Sequence, residues 1–214
     1  MNKNHGGILS GFEIEKKIRS GAISIDPFDP ALINSASIDL RLGSAVAVYE
    51  DVVGVDLDGT IPGERFHAKT GTRARLSVAK KHTVRKFEID SRGFLILPGI
   101  GYLMHTAERI KTDHYVPIID GKSSTGRLFV AAHVTAGYGD PGYDGQYTLE
   151  VVAVHPVVIY PGMRFCQMRF HTFIGDVESY ERKGNYRGDL AEGPVPSMSW
   201  KMFDDKKKPG AGPA

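Results

Sequence analysis

The chain has 214 residues and a formal net charge of +2 at pH 7. That is enough length for one domain with its own core, and too little charge to predict binding to nucleic acid or a membrane. The single cysteine, Cys166, excludes an intrachain disulfide and a zinc site built only from cysteines. Without a signal peptide or an apolar run near the roughly 20 residues that span a bilayer, the chain is expected to be cytoplasmic.

The first predicted element is a short helix over 11–19. Ser10-Gly11-Phe12-Glu13 has the pattern of a capping box, and Gly21 marks the end. Ser37 to Leu42 alternates polar and apolar residues and predicts a half-buried strand. Short apolar runs then recur, broken by Gly, Pro or Asp. They are 94–97, 102–104, 115–119, 128–134, 147–154, 157–160 and 163–170. Many short strands with turn signals favour an all-β barrel or sandwich.

The domain organisation is predicted to be simple. We interpret 57–84, which is polar, basic and weakly patterned, as an excursion from the barrel, with a hairpin as one form it could take. Residues 204–214 have a disordered composition. The prediction is therefore one domain over 1–203 followed by a disordered tail.

One local motif points to a different function. Residues 52–60, VVGVDLDGT, resemble the first motif of haloacid-dehalogenase-type phosphatases, in which Asp56 would be the nucleophile. That family has a doubly wound α/β sheet, and this chain lacks the alternating helices. A strand ending in an Asp-Gly hairpin turn is the better interpretation.

The stretch from Gly121 to Phe170 carries the chemistry. Lys122 to Arg127 combines hydroxyls with a lysine and an arginine, which suits a phosphate chain. Glu150 interrupts an apolar run, where a lone acid is costly to bury. Such an acid is a candidate for proton transfer, the alternative being a salt bridge within a sheet.

The order and spacing of several short motifs in this chain resemble those of the dCTP deaminases of the dUTPase superfamily. The resemblance runs from about Ile8 to Ser197 and rests on 37–43, 123–127, 133–136, 140–143, 148–150, 160–163 and 166–168. The spacing from Arg127 to Glu150 favours the deaminase branch.

The resemblance implies a mainly β fold of the dUTPase-like (β-clip) type, with distorted barrels assembled as a homotrimer and active sites at subunit interfaces. It implies hydrolysis of dCTP to dUTP and ammonia without a protein-bound metal, Mg²⁺ arriving with the triphosphate. The sequence agrees on zinc, because one cysteine cannot supply the P-C-x-x-C motif of zinc deaminases. It also makes dTTP a candidate feedback inhibitor.

The catalytic residues implied by the resemblance are Glu150, Arg127, Ser123 and Ala136. Glu150 takes a proton from the attacking water and passes it on. Arg127 holds Glu150, the phosphates or both. Ser123 also helps to orient the water, and the backbone around Ala136 approaches the pyrimidine. His133 is expected to be a packed structural histidine.

Further residues are implied to bind substrate. Asp140 receives the 3′-hydroxyl, Tyr143 packs on the sugar, and Tyr180 and Tyr186 belong to a C-terminal segment that closes over the triphosphate. The full substrate-binding set is Lys122, Ser123, Ser124, Thr125, Gly126, Arg127, Thr135, Asp140, Tyr143, Thr148, Leu149, Glu150, Gln167, Tyr180 and Tyr186.

Some positions depart from the family pattern and leave alternatives open. Lys122 stands where an arginine is common, and Asn185 and Asp189 replace a lysine and a glutamine of the closing segment. A dUTPase, a bifunctional enzyme that converts dCTP to dUMP, and a non-catalytic nucleotide-binding regulator remain alternatives. Glu150 argues against the plain dUTPase and the regulator.

Overall fold

A computed structural model describes residues 6–50, 66–67, 72–73, 76 and 78–203. The helices are α1 Gly11–Arg19, α2 Ser123–Gly126 and α3 Tyr180–Lys183, with 3₁₀ turns at Pro30–Leu32, Gly188–Ala191 and Ser199–Phe203. The strands are β1 Ser24–Asp26, β2 Ile38–Arg41, β3 Ala45–Tyr49, β4 Phe66–His67, β5 Thr72–Arg73, β6 Val84–Glu88, β7 Phe94–Ile96, β8 Tyr102–Lys111, β9 Val116–Gly121, β10 Val130–Ala131, β11 Asp144–Ala153, β12 Val157–Ile159 and β13 Arg164–His171.

The prediction of a mainly β fold is confirmed. One sheet has the order β10-β11-β8-β3-β6, with β1 also paired to β8, and a second has the order β2-β13-β9. Two further pairs, β12-β7 and β4-β5, are each two-stranded. Within the described residues these sheets do not join into a closed barrel, so the fold is a distorted β structure.

Helix α1 has the predicted bounds. The Ser10 hydroxyl accepts a hydrogen bond from the Glu13 amide at 3.4 Å, which satisfies one of the amides left free at a helix start. Ile14 is fully buried and anchors the helix to the core.

The described residues fall into two compact units. One lies within Met1–Ala47 and Lys86–Val195, and the other within Val48–Arg85 and Pro196–Ala214. In the second unit β4 and β5 form an antiparallel pair, as the hairpin interpretation of the excursion expected. The phosphatase-like motif at 52–60 and the tail at 204–214 lie outside the described residues. The single domain over 1–203 stays a prediction.

Strand β2 is buried on both faces, so the prediction of a half-buried strand is wrong. Asp39 is only 1% exposed, because its carboxylate meets the Lys122 ammonium at 2.6 Å. The backbone amide of Arg41 donates to Glu108, which is also buried, at 2.9 Å, and its guanidinium donates to the same carboxylate at 2.7 Å. Buried charges must be paired, and each partner here lies on a distant element.

His105 on β8 is a buried histidine fixed in one tautomer. Its Nδ1 lies 2.9 Å from the Thr106 carbonyl and its Nε2 accepts from the Ala45 amide at 3.2 Å. Nδ1 must therefore carry the proton, and a second proton on Nε2 would face the Ala45 N–H. Burial lowers the pKa of His105 below its ordinary value of 6.5.

This histidine should make folding pH-dependent. The unfolded chain binds a proton near pH 6.5, whereas folded His105 binds it only at lower pH. The free energy of unfolding should therefore fall as the pH drops below that value, by at most about 1.4 kcal/mol per pH unit. Urea unfolding between pH 5 and 8 should show a shallower pH dependence for His105→Gln. The exposed His114→Gln variant should keep the wild-type slope, and identical slopes for wild type and His105→Gln would contradict this assignment.

Candidate active site

The turn Lys122–Arg127 is held by hydrogen bonds within itself and to the buried strand β13. The Lys122 carbonyl accepts from the Gly126 amide at 2.8 Å and from the Thr125 hydroxyl at 2.9 Å. Thr125, which is buried, also donates to the Phe165 carbonyl on β13 at 3.1 Å. The side chains of Lys122 and Thr125 are therefore used in holding the turn.

The remaining side chains of the turn are exposed. Ser123, Ser124 and Arg127 point outward, and Gly126 is exposed as well. Within the described part of the chain, neither serine hydroxyl nor the Arg127 guanidinium has a hydrogen-bond or ion-pair partner. Two hydroxyls and a planar cation on a fixed turn can bind phosphate oxygens.

Glu150 lies on β11 beside a buried histidine. Its side chain is 37% exposed, and Oε2 lies 3.4 Å from Nδ1 of His133, whose side chain is 8% exposed. This contact does not have hydrogen-bond geometry, so Nδ1 lacks a hydrogen-bond partner among the described residues. Burial lowers the pKa of His133, although the Glu150 carboxylate opposes that shift. The imidazole is therefore neutral near pH 7 and forms no ion pair with Glu150.

The half-exposed position of Glu150 follows from the alternation of β11. Leu149 and Val151 are fully buried, whereas Glu150 and Val152 lie on the other, more open face. Glu150 is therefore not an acid sealed within the core, as the apolar sequence around it suggested. Its own face of the strand remains accessible.

An open cavity of about 480 Å³ lies next to β10. It is bounded by Gly121, Gly126, Phe129 to His133 and Val152 to Val154. This volume suits a small organic molecule. His133 contributes to its wall, and Glu150 contacts His133.

The segment that holds Thr135 and Ala136 runs beside β9. The Ile119 amide donates to the Gly137 carbonyl at 2.7 Å, and Ile118 bridges Tyr138. A Cβ at Gly137 would overlap the Ile119 carbonyl oxygen, so the close approach depends on glycine. Thr135 and Ala136 are exposed on this segment.

The turn that begins at Asp140 meets the C-terminal segment. Asp140 is exposed, and the Pro141 carbonyl accepts from the Tyr180 amide at 2.9 Å. Gly142 has φ +89°, and a Cβ there would overlap the Ser179 hydroxyl. Only glycine combines that backbone conformation with so close a contact.

Three tyrosines pack together beside this turn. The Tyr143 ring centroid lies 4.8 Å from that of Tyr147 and 5.5 Å from that of Tyr180, both edge to face. The Tyr143 hydroxyl donates to the Gln146 carbonyl at 2.6 Å, and burial raises the pKa of Tyr143. The Tyr186 amide donates to the Tyr180 hydroxyl at 3.0 Å. Tyr143, Tyr180 and Tyr186 are therefore brought together.

Three other predicted residues make contacts within the protein. Leu149 is fully buried. Thr148 accepts from the Val195 amide at 3.2 Å. Gln167 accepts from the Ser37 hydroxyl at 2.9 Å and donates to the Gly121 carbonyl at 3.0 Å. Their roles toward a ligand stay predictions.

The turn Lys122–Arg127 and the side chain of Glu150 lie at opposite ends of β10. Val130 pairs with Ala153, and the Phe129 carbonyl accepts from the Val154 amide at 3.1 Å. Glu150 is therefore displaced from this end of the pairing by three residues of β11, about 10 Å. Arg127 precedes Phe129 and lies beyond the Val130 end, whereas Glu150 lies past the Ala131 end. One chain thus separates Arg127 from Glu150.

A family model described as dCTP deaminase-like matches residues 8–173. The chain belongs to this family.

Relatives in the family cover nearly the whole chain. A protein of Cytophaga hutchinsonii named "dCTP deaminase, dUMP-forming" is 36% identical over 197 residues, which is 92% of this chain and 99% of that protein. A protein of Leptospira biflexa with the same name is 35% identical over 199 residues, covering 93% and 99% of the two chains.

The fold also resembles a solved structure of the family. The crystal structure of 2′-deoxycytidine 5′-triphosphate deaminase from Agrobacterium tumefaciens superposes with a TM-score of 0.56 at 23% identity. The match covers 83% of this chain and about half, 54%, of that one. At this identity the likeness shows the fold alone.

The described residues show neither a metal-binding cluster nor a membrane-spanning helix. Residues 6–50 and 78–203, with the short pieces between them, hold no group of three or more His, Cys, Asp or Glu side chains able to bind a metal ion. The same part of the chain has no helix that is long and apolar enough to cross a membrane.

Sequence reasoning missed several residues of this region. It did not find the Asp39–Lys122 pair or the contact of His133 with Glu150. No local pattern signals either contact. Asp39 is a polar residue within a strand pattern and was the one signal of a buried pair. The alternating pattern instead predicted that it faces solvent.

Proposed function

We propose that the protein is a bifunctional deaminase that hydrolyses dCTP to dUMP, ammonia and pyrophosphate. The observation that carries the proposal is Glu150, a half-exposed carboxylate beside a neutral histidine and an open cavity. The names of relatives at 35–36% identity over nearly the whole chain support the product dUMP. They favour the bifunctional alternative over release of dUTP.

Glu150 acts as the proton shuttle. Water attacks C4 of the cytosine ring while the carboxylate accepts one of its protons, and the same carboxyl returns a proton to the departing amine, which leaves as ammonia. The neutral His133 supports this role, because a charged imidazolium at 3.4 Å would hold Glu150 in an ion pair. A second water then attacks the α-phosphorus and releases pyrophosphate from the dUTP formed.

The turn Lys122–Arg127 binds the triphosphate. Ser123 and Ser124 donate to phosphate oxygens and Arg127 supplies a planar, fixed cation. Mg²⁺ accompanies the nucleotide and is bound mainly through phosphate oxygens and water. The fixed position of the turn supports this role, since its exposed donors need no rearrangement to meet an anion.

Each active site combines residues of two copies in a homotrimer. Arg127 and Glu150 are separated within one chain by β10. Exposed apolar side chains also line the cavity, namely Phe129, Val152 and Val154, and the neighbouring Leu128 and Val134 are exposed as well. Such a patch is typical of a surface that another chain covers.

The deoxyribose lies against the turn Asp140–Tyr143. Asp140 accepts from the 3′-hydroxyl, and Tyr143, fixed by Tyr147 and Tyr180, packs on the sugar. The segment from Tyr180 to Tyr186 closes over the nucleotide. We further propose dTTP as a feedback inhibitor and the cytoplasm as the location.

Product analysis tests the proposed function. The protein is incubated with dCTP and Mg²⁺, and dUTP, dUMP, ammonia and pyrophosphate are resolved over time. We expect equal amounts of ammonia, dUMP and pyrophosphate, with free dUTP staying low. Accumulation of dUTP would indicate a deaminase without the second activity. Absence of turnover with both dCTP and dUTP would instead favour a regulator.

A further inference from the structure

Asp39 is a buried acid outside the site described so far. Its carboxylate accepts from the Lys122 ammonium at 2.6 Å and from the Asn34 side-chain amide at 2.8 Å, with Arg164 at 3.8 Å. Lys122 is 26% exposed and Asp39 only 1%. A carboxylate with so little access to water depends on its partners. The ammonium of Lys122 is therefore held in place by β2.

Lys122 is also the first residue of the turn Lys122–Arg127, and its carbonyl accepts the hydrogen bonds that hold the turn together. Its carbonyl accepts from the Gly126 amide at 2.8 Å and from the Thr125 hydroxyl at 2.9 Å. Lys122 thus contacts Asp39 through its side chain and the rest of the turn through its carbonyl. Because both groups belong to one residue, holding its ammonium at Asp39 also holds the turn in place.

The neighbouring strand β13 supports the same turn. Thr125 donates to the Phe165 carbonyl at 3.1 Å, and Gln167 donates to the Gly121 carbonyl at 3.0 Å. Asp39 and Gln167 are directly paired across β2 and β13. Two adjacent strands thus hold the inner side of the turn, while Ser123, Ser124 and Arg127 stay exposed.

We infer that Asp39 is a positioning residue for triphosphate binding: through Lys122 it holds the turn in the shape that presents Ser123, Ser124 and Arg127 to phosphate oxygens. The inference rests on the proposed function and adds a residue that touches no substrate. Asp39 also neutralises Lys122, which leaves Arg127 as the uncompensated cation of the turn.

The expected signature is a change in KM at nearly constant kcat. Asp39→Asn keeps the size of the side chain and removes its charge, so Lys122 loses its anchor and the turn must be ordered when dCTP binds. The KM for dCTP should rise roughly tenfold, with kcat within about twofold of wild type. A purely structural defect would lower the amount of active protein and thus kcat, leaving KM unchanged.

Lys122→Met and the double variant complete a double-mutant cycle. If Asp39 acts through Lys122, Lys122→Met alone should raise KM by a similar factor, and the double variant should add little to either change. The double variant leaves no buried charge without its partner, so it reports on loss of the same contact even if either single variant fails to fold.

Arg41→Met is the matched control. Arg41 lies two residues further along β2 and forms the other buried acid–cation pair of this strand, with Glu108 at 2.7 Å. This variant should lose stability on thermal unfolding without an increase in KM.

The results separate the inference from the proposed function. A wild-type chain that does not turn over dCTP would contradict the proposed function. An active wild type with an unchanged or lower KM in Asp39→Asn would overturn the positioning role alone. Multiplicative effects in the double variant, or an equal rise of KM in Arg41→Met, would overturn it as well.

Discussion

Replacing Glu150 with glutamine is expected to lower turnover of dCTP by at least about 100-fold while binding of dCTP survives. Glutamine keeps the shape of the side chain but cannot accept the proton of the attacking water. General acid–base catalysis contributes roughly 10²–10⁴-fold, and no other described carboxylate contacts His133 at the cavity. Binding should persist because the phosphates are held by the turn Lys122–Arg127 of a neighbouring copy and not by Glu150.

Turnover is followed by release of ammonia and binding by calorimetry with dCTP. Glu13→Gln, a half-exposed acid in the first turn of α1, is the matched control and should behave as wild type. If Glu150→Gln lost binding but kept the rate of bound substrate, Glu150 would be a structural anchor instead of the proton shuttle.

Replacing Arg127 with alanine is expected to weaken binding of dCTP about 10- to 150-fold. A hydrogen bond to a charged group contributes roughly 1.5–3 kcal/mol, and each 1.4 kcal/mol is a factor of ten. Turnover should fall as well, since a loosely held triphosphate leaves the base poorly placed. Arg127→Lys should recover the charge but not the planar, two-pronged geometry, and so lie between alanine and wild type.

Calorimetry with dCTP measures this effect, with the exposed Arg92→Ala as control. Unchanged affinity in Arg127→Ala would remove Arg127 from the phosphate site and would leave the two serines as its main donors.

Glu150→Gln and Arg127→Ala together test whether the site is shared between copies. If Arg127 and Glu150 of one site come from different chains, mixed trimers of Glu150→Gln and Arg127→Ala will contain intact sites. With random assembly, about one site in four receives both native residues. Recovery of roughly a quarter of wild-type activity would support the shared site, and no recovery would place both residues in one chain.

Features set by neighbouring residues were predictable from the sequence. Ser10 and Glu13 defined the start of α1 through a local hydrogen bond. The hydroxyls, lysine and arginine of 122–127 indicated the turn by composition alone, and the short apolar runs indicated most strands. Strand β10 was predicted too long, since only Val130–Ala131 pairs.

The missed features all depend on contacts between distant parts of the chain. Asp39 meets Lys122 across 83 residues, and Arg41 meets Glu108 across 67. The alternating polarity of β2 therefore predicted one solvent-facing side, whereas Asp39 and Arg41 on that side form ion pairs with Lys122 and Glu108. His133 contacts Glu150 because β10 pairs with β11. The register of this pairing cannot be predicted from the sequence of either strand.

The missing side chain at Gly142 has a consequence for how the nucleotide enters. The C-terminal segment meets the turn 140–143 in the space that a Cβ at Gly142 would occupy, next to the Ser179 hydroxyl. A single methyl group there would act as a wedge, holding Tyr180 away from Tyr143 while leaving Glu150 and the phosphate turn untouched. A change at this one position is therefore expected to separate access to the proposed site from the proposed chemistry at Glu150.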